Sequence, residues 1–191
     1  MAKKPTAADA QLILRLYDLR REAEMRKARN WWFTAFWPRN ADDFMKIAFA
    51  AGSQENNWLR QVSSYWSMAA SFVLHGALNP DLFLQPPVSG EMFIVFAKVH
   101  PFLNELREKS GDPQMFGIIE KVIMSSKYGR ERFKFTQKRV EMMRERMASA
   151  KAGGSQIPTI GSNWRADRRC ASCRGSHNSA PVICYPDQLC G

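Results

Sequence analysis

All four cysteines of the chain lie near its C-terminus, together with one of its three histidines. Cys170 and Cys173 have the C-x2-C spacing of a thiolate pair in a tetrahedral zinc site. Further ligands could come from His177, Cys184 and Cys190. The second cysteine pair is separated by five residues, which matches no standard zinc ribbon. Three readings therefore stay open: unliganded thiols with no cofactor, a zinc site, and a disulfide or redox pair.

A second group of candidate residues is the aromatic stretch RNWWFTAFWPRN, residues 29–40. Trp and Phe beside arginine can stack on bases or anchor a protein at a membrane interface. Each of these rings buries a large apolar area, however, so most of the stretch is expected to be core. On one continuous helix, Trp31 is the ring that best reaches solvent. We therefore predict a partner contact formed by Trp31, Arg29 and Arg39.

The third candidate is the basic segment 127–152, which carries nine Lys and Arg against three Glu. Residues 30–126, by contrast, carry seven basic and nine acidic residues. Such a basic end can neutralise phosphates, but it can equally be a solvated helix face. The alternative nucleic-acid site consists of Lys134, Lys138, Arg139, Arg144 and, from the C-terminal part, Arg168 and Arg169.

Catalytic motifs are missing from the sequence. It has no glycine-rich phosphate loop, no nucleophile elbow and no His-Glu-x-x-His segment. Two of the three histidines, His75 and His100, are expected to be structural because they occur at helix ends. These observations favour a protein that is not an enzyme.

The sequence also predicts a cytoplasmic protein without a transmembrane segment. The opening residues MAKKPTAADA are polar, unlike a secretory signal. The charge-free window 61–80 contains too many polar side chains to cross a bilayer. Peripheral membrane contact is the least favoured of the binding modes.

Helical periodicity runs through most of the chain and predicts the elements that position these residues. Thr6 can cap a first helix with Leu12, Leu16 and Leu19 on one side. The leucines and the aromatic stretch fall on different sides of that helix. Either the chain bends within 26–30, or the segment packs against two partners.

The middle of the sequence predicts a central helix and a second buried one. From Ser53, apolar residues cover so much of the helix that it is expected to lie at the centre. MFIVFAKV could be a strand, but without a convincing second strand we predict a helix beginning at Ser89. The last helix carries a seam that we expect to dock on the protein itself, formed by Phe133, Thr136, Val140, Met143 and Met147.

The predicted fold is all-α, a compact irregular bundle of five to seven helices. Residues 1–152 form the helical domain. Residues 153–191 are rich in Gly, Ser, Cys and Arg without periodicity, and are expected to be a disordered or loosely structured tail.

Three stretches of the sequence resemble a family of small bacterial proteins, over residues 7–148. They are LYDLRREAEMRKARNWWF, QENNWLRQVSSYWSMAASFVLHGALN and FAKVHPFLNELREKSG. The resemblance implies a helical fold and no assigned activity. The working hypothesis is a cytoplasmic protein for protein interaction or scaffolding. Nucleic-acid binding through the last helix and tail is the alternative.

Overall fold

The computed structural model describes residues 4–152, with backbone alone for 150–152. Within this range there are eight helices of eight residues or more, one single-turn helix, one 3-10 turn and no strand. The α-helices are α1 Ala7–Arg21, α2 Ala23–Thr34, α3 Ala41–Ala48, α4 Gln54–Leu74, the single turn α5 Pro80–Phe83, α6 Pro86–Val99, α7 Leu103–Ser110, α8 Gly117–Met124 and α9 Lys127–Ala152; the 3-10 turn is His100–Phe102. The all-α class is confirmed.

The helix count exceeds the predicted five to seven because the chain breaks more often than its periodicity suggests. One break is at Glu22, whose backbone is extended and whose carboxylate accepts a hydrogen bond from Met25 N at 2.7 Å. The predicted bend within 26–30 was therefore placed too far along the chain. Because of this break, α2 does not have to continue the axis of α1. The predicted leucine face is only partly buried: Leu16 is buried, whereas Leu19 is exposed.

Helix α4 lies at the centre of the bundle, as its sequence predicts. It packs against α2, α3 and α8. Ser53 caps its first turn, and Gly76, with φ of +74°, adopts the left-handed conformation just after its end. The buried Asn56 donates hydrogen bonds to the carbonyls of Ile47 and Ala48, so α4 also satisfies the end of α3.

The segment MFIVFAKV is a helix, and its burial explains its apolar composition. It belongs to α6, which packs against α5, α8 and α9. The helix begins at Pro86, with proline tolerated in its first turn, and not at Ser89 as predicted. Ser89 is buried inside it.

Helix α9 docks on the body through the first half of its predicted seam. Phe133, Thr136 and Val140 are buried, and the helix packs against α6 and α8. Met143 and Met147 are exposed, so the second half of the seam is only partly covered by described residues. No helix among residues 4–152 has both the length and the apolar character that a bilayer span needs.

Candidate interaction surface

The aromatic stretch forms part of the core. Trp32 and Phe36 are buried, and Trp31, Phe33 and Trp37 are partly buried against them. The Trp31 ring stacks on Phe36 with centroids 4.6 Å apart. The expectation that most of these rings are packed rather than bare is confirmed.

The three predicted partner-contact residues have different neighbours. Trp31 also meets Trp58 of α4, with ring centroids 6.0 Å apart. Arg29 forms a two-pronged ion pair with Glu91 of α6, in which Nε to Oε2 is 2.8 Å. Arg39 is exposed and bonds to Asp43 at 3.0 Å. The structure thus brings these residues into separate local contacts, and their role toward a partner stays a prediction.

A buried lysine, missed in the sequence, lies behind the aromatic stretch. Lys98 of α6 has no exposed surface, and its ammonium donates hydrogen bonds to the carbonyls of Trp32 and Phe36, the latter at 2.9 Å. Burial, and secondarily the charge of Arg144, lower the pKa of Lys98 to about 7. Its only sequence signal is a single cation inside an apolar run.

The outer side of α9 carries three large apolar side chains that the rest of the described bundle leaves largely exposed, although Tyr128 and Phe135 also border a groove between α9 and α6. Tyr128, Phe135 and Met142 are 44%, 62% and 51% exposed. They occur at seven-residue intervals, close to two helical turns, so they form a line along the helix. Phe135 lies roughly opposite the docked side that contains Phe133 and Val140.

Cations flank this apolar line. Lys138, Arg139 and Arg146 are exposed and lie within about 60° of Phe135 around the helix axis, where Glu131 is the one exposed acid. The Arg139 guanidinium is 5.8 Å from the centre of the Phe135 ring. We call this surface the outer stripe; its residues are Tyr128, Phe135, Lys138, Arg139, Met142 and Arg146.

The residues of the predicted nucleic-acid site are divided by the structure. Lys134, Lys138 and Arg139 are exposed on α9. Arg144 turns toward the body, where it donates a hydrogen bond to the carbonyl of Lys98 at 3.0 Å. Desolvation lowers the pKa of its guanidinium. Arg168 and Arg169 lie outside the described residues.

The zinc hypothesis concerns residues that the structure does not describe. Its candidate ligands, Cys170, Cys173, His177, Cys184 and Cys190, all lie beyond residue 152. Among residues 4–152 no group of His, Cys, Asp or Glu is arranged to hold a metal ion. Zinc binding therefore stays a prediction.

Comparison with known proteins identifies a family for most of the described residues. The family described as a domain of unknown function (DUF4760) matches residues 5–126. This range includes α1 to α8 and ends just before α9. No curated protein and no solved structure matches the chain.

Proposed function

The chain belongs to the DUF4760 family, whose function is unknown, and we propose that it is a non-enzymatic cytoplasmic protein that binds a partner protein through the outer stripe. The observation that carries this proposal is the line of exposed apolar side chains at positions 128, 135 and 142. Exposing such side chains in a row on one helix face is unfavourable in water and typical of a surface that a partner covers.

The geometry of the stripe favours a helical partner. A seven-residue repeat supplies one of the two apolar positions per heptad in a coiled-coil seam, and the second position falls here on charged residues such as Lys138 and Arg139. From Tyr128 to Arg146 the stripe is about 27 Å long, at 1.5 Å per residue. A partner helix of about five turns covers it.

The charge of the stripe favours an acidic partner over a second copy of this chain. Lys138, Arg139 and Arg146 flank its apolar line. Two copies pairing through this face would bring cations toward one another, which opposes association. An amphipathic helix with glutamate or aspartate beside its apolar positions pairs with these cations instead.

Site-specific photocrosslinking tests the proposal in cells. A photoreactive residue replaces Phe135, and the matched control replaces Phe49, which is also exposed but lies away from the stripe. We expect a discrete adduct from position 135 that position 49 does not give. F135E together with M142E should abolish co-purification of the same partner, whereas F49E should retain it. Identical adduct patterns from both positions, or none from 135, contradict the proposal.

Nucleic-acid binding is the second candidate, because Arg139 lies over the exposed Phe135 ring. An exposed ring with a cation beside it is the arrangement that single-stranded nucleic acids use for stacking and phosphate contact. Binding of single-stranded RNA at two salt concentrations tests it. If phosphate contacts carry affinity, binding is strong at low salt and falls steeply as salt rises. Absence of binding at low salt rejects this candidate.

A further inference from the structure

A large cavity lies beside the C-terminal end of α2, away from the outer stripe. Its volume is 740 Å³, and its walls include Trp37, Arg39, Asp43, Arg144 and Met147. Pockets for small molecules commonly have volumes of about 300–1,000 Å³. Arg144 is about 180° from Phe135 around α9, so the cavity and the outer stripe are separate surfaces.

Two residues of the cavity wall each carry a donor that has no acceptor among the residues that the structure describes. The indole Nε1 of Trp37 and the guanidinium Nε of Arg144 are both buried, and neither has a hydrogen-bond partner there. Buried donors are nearly always satisfied in folded proteins, because an unpaired donor has lost its water without compensation. Neither atom is open to solvent, so an acceptor in the cavity pairs with them when the indole and the guanidinium turn toward it.

The charge of the wall favours an acceptor with negative charge. It contains two guanidinium groups and one carboxylate. Arg39 uses its Nε to bond to Asp43, whereas the other nitrogens of its exposed fork have no bond to the described residues. Arg144 uses one terminal nitrogen on the carbonyl of Lys98. Guanidinium groups bind carboxylate and phosphate oxygens through such parallel N–H donors.

The wall is also apolar enough to hold more than an inorganic ion. Met147 and the Trp37 ring supply an apolar surface. Lys98 contacts that ring, with its ammonium 3.5 Å from the ring centre. We propose that this cavity binds a small organic oxyanion, a carboxylate or phosphate group attached to a flat apolar body. The oxyanion accepts from Trp37 and Arg144, and the body packs on Met147.

Calorimetric titration of the full-length chain with phenyl phosphate tests this inference. Inorganic phosphate and phenol serve as the anion-only and ring-only probes. We expect saturable binding of one phenyl phosphate per chain, with an affinity at least tenfold above that of either single-feature probe. No saturable binding at millimolar phenyl phosphate, or equal binding of phenol, overturns the proposal.

Three variants locate the binding. Trp37→Phe keeps an aromatic side chain but removes the N–H donor together with the five-membered ring, and should weaken phenyl phosphate binding about tenfold. Arg144→Met should abolish it, whereas Arg146→Met, on the outer stripe of the same helix, should leave it unchanged. Circular dichroism and the thermal midpoint check folding; if Arg144→Met unfolds, the Trp37→Phe result decides. Wild-type affinity in Trp37→Phe overturns the assignment.

Discussion

The side chain of Lys98 is entirely buried, and its ammonium nitrogen lies 3.5 Å from the centre of the Trp37 indole ring. The same nitrogen donates to the carbonyls of Trp32 and Phe36, at the end of α2 where helical carbonyls lack partners in their own helix. Lys98 thus joins α6 to the C-terminal end of α2. A nonpolar residue of similar length would leave these carbonyls unpaired.

The first prediction concerns the pH dependence of stability. The pKa of Lys98 is lowered from 10.5 to about 7 in the folded chain, so between these values the unfolded chain binds more protons. The free energy of unfolding should therefore rise with pH across this window, with a Lys98 contribution approaching 1.4 kcal/mol per pH unit, a rough upper bound. Below pH 7 this contribution is flat, because both states are protonated.

Urea unfolding between pH 7 and 9 measures this rise. Lys98→Met should remove the Lys98 contribution to the slope. The pH stays below 9 so that Tyr65 does not titrate. Burial raises the pKa of Tyr65 to about 12, so this residue lowers the free energy of unfolding as pH rises above 10. An unchanged slope in Lys98→Met contradicts the assigned titration.

The second prediction concerns the ion pair between α2 and α6. Arg29 and Glu91 are each less than one quarter exposed, and the hydrogen bond to Glu91 raises the pKa of Arg29. Glu91→Gln removes the charge that balances a half-buried guanidinium, and should reduce the free energy of unfolding by about 1–2 kcal/mol. The control is Glu131→Gln in the exposed pair with Lys127, where a change within about 0.5 kcal/mol is expected. Equal effects in chemical denaturation would count against a structural role for Glu91.

The third prediction concerns the attachment of α1 to α4. Tyr65 donates a buried hydrogen bond to the carbonyl of Leu16 at 2.8 Å. Tyr65→Phe keeps the ring and removes the donor, so it should lower the free energy of unfolding by about 1 kcal/mol. Tyr17→Phe, at a half-exposed position, is the matched control and should be nearly neutral. If Tyr17→Phe lowers the free energy of unfolding by as much as Tyr65→Phe does, the loss in Tyr65→Phe is not due to the hydrogen bond with Leu16.

The fourth prediction concerns the close approach of α8 and α9. A Cβ atom on Gly129 would lie 2.2 Å from the carbonyl oxygen of Ile123, a backbone atom that can move only with its helix. Gly129→Ala should therefore destabilise the fold by about 1–3 kcal/mol, although alanine is the better helix former. Gly117→Ala is the comparison, because the nearest atom there belongs to the flexible Gln114 side chain. A higher thermal midpoint for Gly129→Ala than for wild type would contradict this packing.

The sequence was sufficient to predict the central helix and the helical state of the MFIVFAKV segment, because apolar periodicity reports burial directly. It could not predict the break at Glu22. The residues on both sides form helices readily, with no glycine or proline between them, so the break depends on where α1 and α2 find their packing partners.

The outer stripe shows a different limit of prediction. Helix α9 carries two apolar series, one through Phe133 and Val140 and the other through Phe135 and Met142. The prediction that the Phe133 series faces the body is confirmed for its first half, whereas the second series, which has the same seven-residue period, was not predicted. Lys98 was also missed, because its depth depends on the carbonyls of α2, which are distant in sequence. The side that packs is decided by tertiary contacts.

Helix α1 is fastened to the bundle at three points along its length by directional polar contacts. Asp9 accepts from the backbone of Asn79, Leu16 accepts from Tyr65, and Arg20 donates to Val88. Hydrogen bonds weaken steeply with misalignment, so a tilt that breaks one bond strains the others. Helix α1 should therefore detach from the bundle as one cooperative unit. Its detachment exposes Trp66 and Phe83, which it contacts, before the rest of the bundle unfolds.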